Sequence, residues 1–213
     1  MAISRDDVVL WIETCAAVMA GERAYLIELD AAIGDADHGA NMDRGFRAVM
    51  EKIQGIADQD IGTILKTVGV TLVSTVGGAG GPLYGTFFLQ AGMKTLGKME
   101  MSLLDWTAAL GAAVDGVIAR GKAEPGDKTM IDALSPAVNA LQQAIEANET
   151  LAQALKDSAE AAKRGMEATI PMVARKGRAS YLGERSAGHQ DPGATSTYLI
   201  LKAAADTWKD IAS

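Results

Sequence analysis

A single cysteine, Cys15, rules out any disulfide within the chain and fits a reducing, cytoplasmic setting. It falls in an apolar helical pattern and reads as a small buried hydrophobe. No apolar run is long enough to span a bilayer, and Arg5, Asp6 and Asp7 interrupt the region where a signal peptide would need to stay apolar. Positive charge is also short. A formal charge of −7 and a pI near 4.9 argue against nucleic acid or an anionic membrane as the main partner. Aromatics make up only 5 %, so Ala, Leu, Val, Ile and Met must fill the core, a mixture that favours packed helices over a β-sandwich.

What remains is helical periodicity. Ser4 and Asp7 form a capping box, with Asp in place of the usual Glu or Gln. Val8, Trp11, Ile12, Cys15 and Met19 then share one face. Tyr25, Leu26, Leu29 and Ile33 mark a second helix, and Met42, Phe46, Val49 and Ile53 a third over about 39–54. "TILKTVGVTLVSTV" is rich in β-branched residues, yet Ile64, Leu65, Val68, Leu72, Val73 and Val76 recur with a period near 3.6, so it reads as a buried helix. Further helices are expected at roughly 82–96, 102–120, 129–147, 150–170 and 192–210, with no convincing strand. Glycine and proline gather near 34–39, 77–82, 121–127 and 183–193, none long enough for an interdomain linker. One all-α domain over residues 1–213 is the expectation.

The four loops carry the chemistry. In the first, Asp30, Asp35 and Asp37 crowd three like charges. At about 4 Å two carboxylates repel by roughly 4 kcal/mol at an effective dielectric near 20, which calls for a cation. Hard oxygen donors with little nitrogen or sulfur suit Mg²⁺ or Ca²⁺, but an EF-hand fails because Phe46 stands at its twelfth position. The alternative is a polar turn whose acids cap the next helix. The second loop, "VGGAGGPLYGTFF", lets backbone amides approach a phosphate at a helix start, although it is neither a Walker A nor a dinucleotide fingerprint; a plain helix–helix turn remains open. In the third, "RGKAEPGDKTM", Asp127 or Thr129 can cap the next helix, and Lys122 and Lys128 read as solvated charges. The fourth gathers Arg175, Lys176, Arg178 and Arg185, then starts a helix with Asp191 as N-cap and Pro192 at its first position, a good place for anions. Carboxylates, glycine amides and arginine are the parts phosphoryl transfer needs, and equally those of a metal-dependent phosphohydrolase.

"GDADHGANMDRGF", "GGAGGPLYGTFF", "GKAEPGDKTM" and "ARKGRASYLGERSAGHQDPGATS" resemble the motifs of the nucleotide-binding domain of the dihydroxyacetone kinase family, over Asp30 to Ser196. The resemblance implies a barrel of about eight antiparallel helices with ADP or ATP held in the loops at one end. It implies two Mg²⁺ on Asp30, Asp35 and Asp37, and nucleotide contacts from His38, Gly39, Ala40, Asn41, Ala79, Gly80, Gly121, Met130, Arg178, Asp191, Pro192 and Gly193. Arg178 would stabilise charge on the transferred group. Many relatives carry serine where this chain has Gly80, so one hydroxyl contact to phosphate is missing.

Relatives driven by ATP fuse this domain to one that holds dihydroxyacetone. A chain with the nucleotide domain alone resembles instead the L-type subunit of enzymes driven by the phosphoenolpyruvate-dependent phosphotransferase system. There a phosphohistidine on subunit M rephosphorylates bound ADP, and the ATP formed phosphorylates dihydroxyacetone on subunit K. Two other readings stand beside this one. The first is a Mg²⁺-dependent all-α nucleotide phosphohydrolase, though two histidines cannot furnish the ligands of the HD type. The second is a nucleotide-bound regulatory module that binds a transcription regulator.

Overall fold

Ser4 opens the first helix as its sequence dictates. Its Oγ accepts from the Asp7 amide while the Asp7 carboxylate accepts from the Ser4 amide at 2.8 Å. The computed structural model describes residues 2–212. It contains nine α-helices among those residues: α1 Arg5–Gly21, α2 Arg23–Ile33, α3 His38–Ile53, α4 Ile61–Thr75, α5 Gly80–Lys94, α6 Leu103–Gly121, α7 Ile131–Glu146, α8 Leu151–Ala168 and α9 Pro192–Trp208. A second capping box, Ser102 with Asp105, starts α6.

Eight of these helices close a ring. From α3 to α9 each helix packs on the next, α9 packs on α1, and α1 returns to α3. The connections alternate between the two ends, so neighbours run antiparallel. The Trp208 Nε1–H, at the end of α9, donates to the Asp7 carbonyl at the start of α1 (2.9 Å). The ninth helix, α2, lies outside the ring against α3 and α9. The expected barrel of about eight antiparallel helices is therefore present.

The expected faces are mostly buried. Val8, Trp11, Ile12, Cys15 and Met19 of α1 and Met42, Phe46, Val49 and Ile53 of α3 all point inward. Burial pushes the Cys15 thiol far up, as suits an inert core residue. Two expectations fail on particular residues. Tyr25 is exposed, because α2 buries only a narrow strip of Leu26, Asp30 and Ile33. Val73 is exposed as well, its Cγ2 lying over Gly85 at the outer seam of α4 and α5. That seam explains the β-branched helix: a Cβ on Gly69 would meet the Gly85 carbonyl at 2.8 Å, so the two backbones touch where a larger residue would part them. The chain also holds one short bridge, Ile3–Ser4 (β1) with Glu100–Met101 (β2), at the end where α1 begins.

The few aromatics are concentrated rather than absent from the core. Trp11, Trp106 and Trp208 meet edge-on or tilted with centroids 5.0–5.4 Å apart, and Phe88 joins Trp11 at 5.8 Å.

Candidate functional site

The connections α2–α3, α4–α5, α6–α7 and α8–α9 meet at the other end of the ring around a cavity of about 450 Å³. Of the residues expected from the sequence, Asp30, Asp35, Asp37, His38, Asn41, Ala79, Gly80, Gly121, Met130, Arg178, Asp191, Pro192 and Gly193 line it. Gly39 and Ala40 are not on its wall. Gly39 sits where α2 crosses α3, and a Cβ there would fall 2.2 Å from the Arg23 carbonyl oxygen.

The acidic corner is built by a short, constrained turn. Asp30 lies near the end of α2, and its Oδ2 accepts from the amides of Asp37 (2.8 Å) and His38 (3.1 Å). Gly34 makes room for it, since a Cβ would come within 2.0 Å of Asp30 Oδ1. Ala36 takes a left-handed φ of 61°, which turns the chain back between Asp35 and Asp37. One oxygen from each of the three aspartates lies within 4.8 Å of the others, Asp30 buried and Asp35 exposed. Three hard carboxylates converging this closely fit Mg²⁺ by donor type and spacing. Asp37, the N-cap of α3, makes no side-chain cap bond, so capping of this helix engages Asp30 alone and does not by itself account for Asp35 and Asp37. Opposite, Arg178 Nη2 approaches Asp35 Oδ2 at 2.9 Å.

His38 begins α3 and is held from behind. Its Nε2 lies 2.8 Å from Ser196 Oγ, and that hydroxyl lies 2.6 Å from Tyr84 Oη, which donates to the Gly193 carbonyl at 2.9 Å. Burial pulls the His38 ring below its usual value, against the pull of Asp30 and Asp37, and pushes the Tyr84 hydroxyl to about 12. Sequence reasoning missed Tyr84 and Ser196. The available signal was spacing: Tyr84 is one helical turn beyond Gly80, on the same face. Gly77 is present because its backbone approaches Asn41, whose Oδ1 would stand 2.9 Å from a Cβ there. The α5 helix then starts at Gly80 with no side-chain cap, so the amides of Gly80 and Gly81 lack an intrahelical partner, while Pro82 has no N–H and the Leu83 amide bonds the Ala79 carbonyl at 3.3 Å.

The third loop departs from expectation. Asp127 does not cap α7; its Oδ2 accepts from Glu124 N (2.9 Å) and tightens the preceding turn. Thr129 Oγ1 accepts from the Ile131 amide at 3.2 Å, while Asp132 takes the amides of Gly126 and Thr129. Lys122 is exposed, but Lys128 is not solvated: it is 1 % exposed and donates only to backbone carbonyls of the fourth loop. Burial lowers its ammonium, and the carboxylate of Asp191 partly restores it. Asp191 caps α9 as expected, accepting from Ala194 N at 2.6 Å with Pro192 following. Its burial, with Asp132 and Asp30 nearby, pushes the carboxyl up to about 7. In the fourth loop a 3-10 segment, Arg178–Ser186, carries Arg178 to the cavity, while Arg175 and Arg185 face solvent.

The ADP-binding subunit DhaL of the PEP-dependent dihydroxyacetone kinase of Escherichia coli is 51 % identical, over 95 % of this chain and 96 % of that protein. The corresponding subunit of the PTS-dependent dihydroxyacetone kinase of Lactococcus lactis is 40 % identical over 92 % and 94 %. Among solved structures, the dihydroxyacetone kinase of C. freundii in complex with AMP-PNP and Mg²⁺ superposes with a TM-score of 0.68 at 27 % identity. It covers 92 % of this chain, which spans only 33 % of that kinase. The DAK2 domain pattern matches residues 32–206, so the chain belongs to the DAK2 domain family.

Proposed function

We propose that this chain is the nucleotide-carrying subunit of a phosphotransferase-system-dependent dihydroxyacetone kinase. ADP bound at the mouth of the ring accepts a phosphoryl group from a phosphohistidine subunit (M), and the resulting ATP phosphorylates dihydroxyacetone on a substrate subunit (K). The observation that carries the reading is the meeting of three aspartates with an arginine and an uncapped helix start around one cavity. The naming of the E. coli and L. lactis relatives supports it.

Each residue then has a physical task. Asp30, Asp35 and Asp37 hold Mg²⁺, two ions in the fullest form of the proposal, and Asp30 is set in place by the amides of Asp37 and His38. The metal supplies charge neutralisation at the phosphate oxygens. The amides of Gly80 and Gly81 at the start of α5 face the diphosphate with the positive end of the helix dipole behind them. Met130, Gly121 and Leu83 give an apolar wall for the base; a side chain on Gly121 would press Leu83 at 3.1 Å. His38, Asn41, Pro192 and Gly193 shape the remaining wall, and the Asp191 cap fixes the start of α9. Arg178 brings a fixed positive charge to the transferred group.

Native mass spectrometry of the purified chain should find ADP with magnesium retained, and adding subunits K and M with phosphoenolpyruvate and the general phosphotransferase proteins should yield dihydroxyacetone phosphate. Rapid multiple turnover of ATP to ADP by the isolated chain would instead favour a hydrolase.

A further inference from the structure

The connection between α8 and α9, residues 169–191, is long for a loop with so little regular structure, and something must hold it. Its two limbs close on each other through Gly188 N to the Ile170 carbonyl (2.7 Å) and Ala174 N to Ser186 Oγ (2.8 Å). Between the limbs lies the Lys128 ammonium. It faces the carbonyl oxygens of Thr169 (2.9 Å), Ile170 (3.5 Å) and Met172 (3.1 Å) on the outgoing limb. On the returning limb it faces those of Ser186 (2.7 Å) and His189 (2.5 Å). An ammonium has three N–H donors, so five oxygens around it satisfy both its hydrogen bonds and its charge. Among the described residues it forms no ion pair, and its backbone holds a left-handed φ of 62°, an unfavourable state for a non-glycine residue. The adjacent Asp127 carbonyl accepts from Arg175 N at 3.1 Å, adding a grip three residues before Arg178.

We infer that Lys128 is the positioning residue for Arg178: its buried ammonium ties both limbs of the 169–191 loop into one unit and so fixes the guanidinium over the cavity. Truncating such a group leaves carbonyls without a donor, so the loop, not the helical ring, is what loosens. The role assigned to Arg178 rests on the transferase reading; the anchoring of the loop does not.

The test is Lys128→Met, which keeps the stem and removes the charge, studied alone and with Arg178→Ala. Helix content by circular dichroism should stay unchanged, while the amides of Ala174, Arg175 and Gly188 exchange hydrogen about 10-fold faster or more. Phosphoryl transfer with the partner subunits should fall about 10- to 100-fold, with KM for the substrate subunit changing less than about 3-fold. In the Arg178→Ala background the same substitution should cost less than about 3-fold further, because it acts through the missing guanidinium. Fully multiplicative losses, or unchanged exchange at the three amides, would overturn the inference. Should Lys128→Met fail to fold, exchange in the unaltered protein decides: the three amides must be protected together, and exchange at free-loop rates overturns the anchoring. An unaltered protein that shows this protection but transfers no phosphoryl group would sink the transferase reading while the loop anchor stands.

Discussion

Arg178 Nη2 and Asp35 Oδ2 lie 2.9 Å apart, so the arginine offered to the transferred group pairs directly with one of the three clustered carboxylates. Both side chains are well exposed, 65 % and 35 %, and such a pair contributes only about 0.2–1 kcal/mol. It is therefore easily exchanged for a divalent cation on Asp35 and a phosphate on Arg178. Asp35→Ala should abolish Mg²⁺-dependent retention of ADP while leaving the melting temperature nearly unchanged. Equilibrium dialysis with and without EDTA, beside a thermal melt, measures both, and undiminished ADP retention would count against the metal assignment.

Arg178→Ala should slow phosphoryl transfer by about 100-fold or more, because its charge matters most where charge shifts. ADP affinity should weaken by only a few-fold, since glycine amides and carboxylates remain. Equal losses in the two quantities would make Arg178 a binding residue alone.

Gly80→Ser tests the departure noticed in the sequence. A Cβ at this position would stand 3.1 Å from Val76 Cγ1, so the valine has to yield slightly, and the next neighbour, Tyr84, is 4.0 Å away. The variant should fold normally. A hydroxyl at the start of α5 gives the diphosphate one more donor, and ADP should bind about 2- to 10-fold more tightly in calorimetry. Weaker binding would mean that the loop needs glycine for its backbone rather than merely tolerating it.

Asp191 sets a pH dependence. Burial raises its carboxyl from 3.8 to about 7 in the folded chain, so the folded state favours the protonated form. The stability tied to this group is complete below about pH 4 and is lost as pH climbs to about 7. Asp191→Asn keeps a capping oxygen and removes the titration. In metal-free buffer its stability relative to the parent should therefore rise between pH 4 and pH 8, by an amount of order 2–4 kcal/mol. Urea denaturation at both pH values gives the comparison; a difference that does not vary with pH would show that Asp191 ionises freely.

Much of the fold was legible because it depends on neighbours in sequence. The Ser4–Asp7 box, the inward face of α1 and the cap at Asp191 each need only a few adjacent residues. The aspartates could be picked out because three like charges in eight positions carry their own electrostatic cost. Lys128 could not. A lysine in a Pro-Gly-Asp-Lys turn looks solvated, and the oxygens that bury it come from residues 41 to 61 positions away. Tyr84 and Ser196 were hidden for the same reason, meeting across a separation of 112 residues. Tyr25 and Val73 fit the apolar period of their helices but sit at the edges of the buried faces, where neighbours cover them only in part. Gly39 is the opposite case, aligned with a motif yet occupied by a helix crossing.

The grouping of Trp11, Trp106 and Trp208 has a practical result. None of the three borders the cavity, whose aromatic wall is Tyr84. Intrinsic emission excited at the red edge therefore reports whether the ring is intact and stays silent when a ligand enters, so unfolding curves recorded in that channel are free of any optical signal from occupancy.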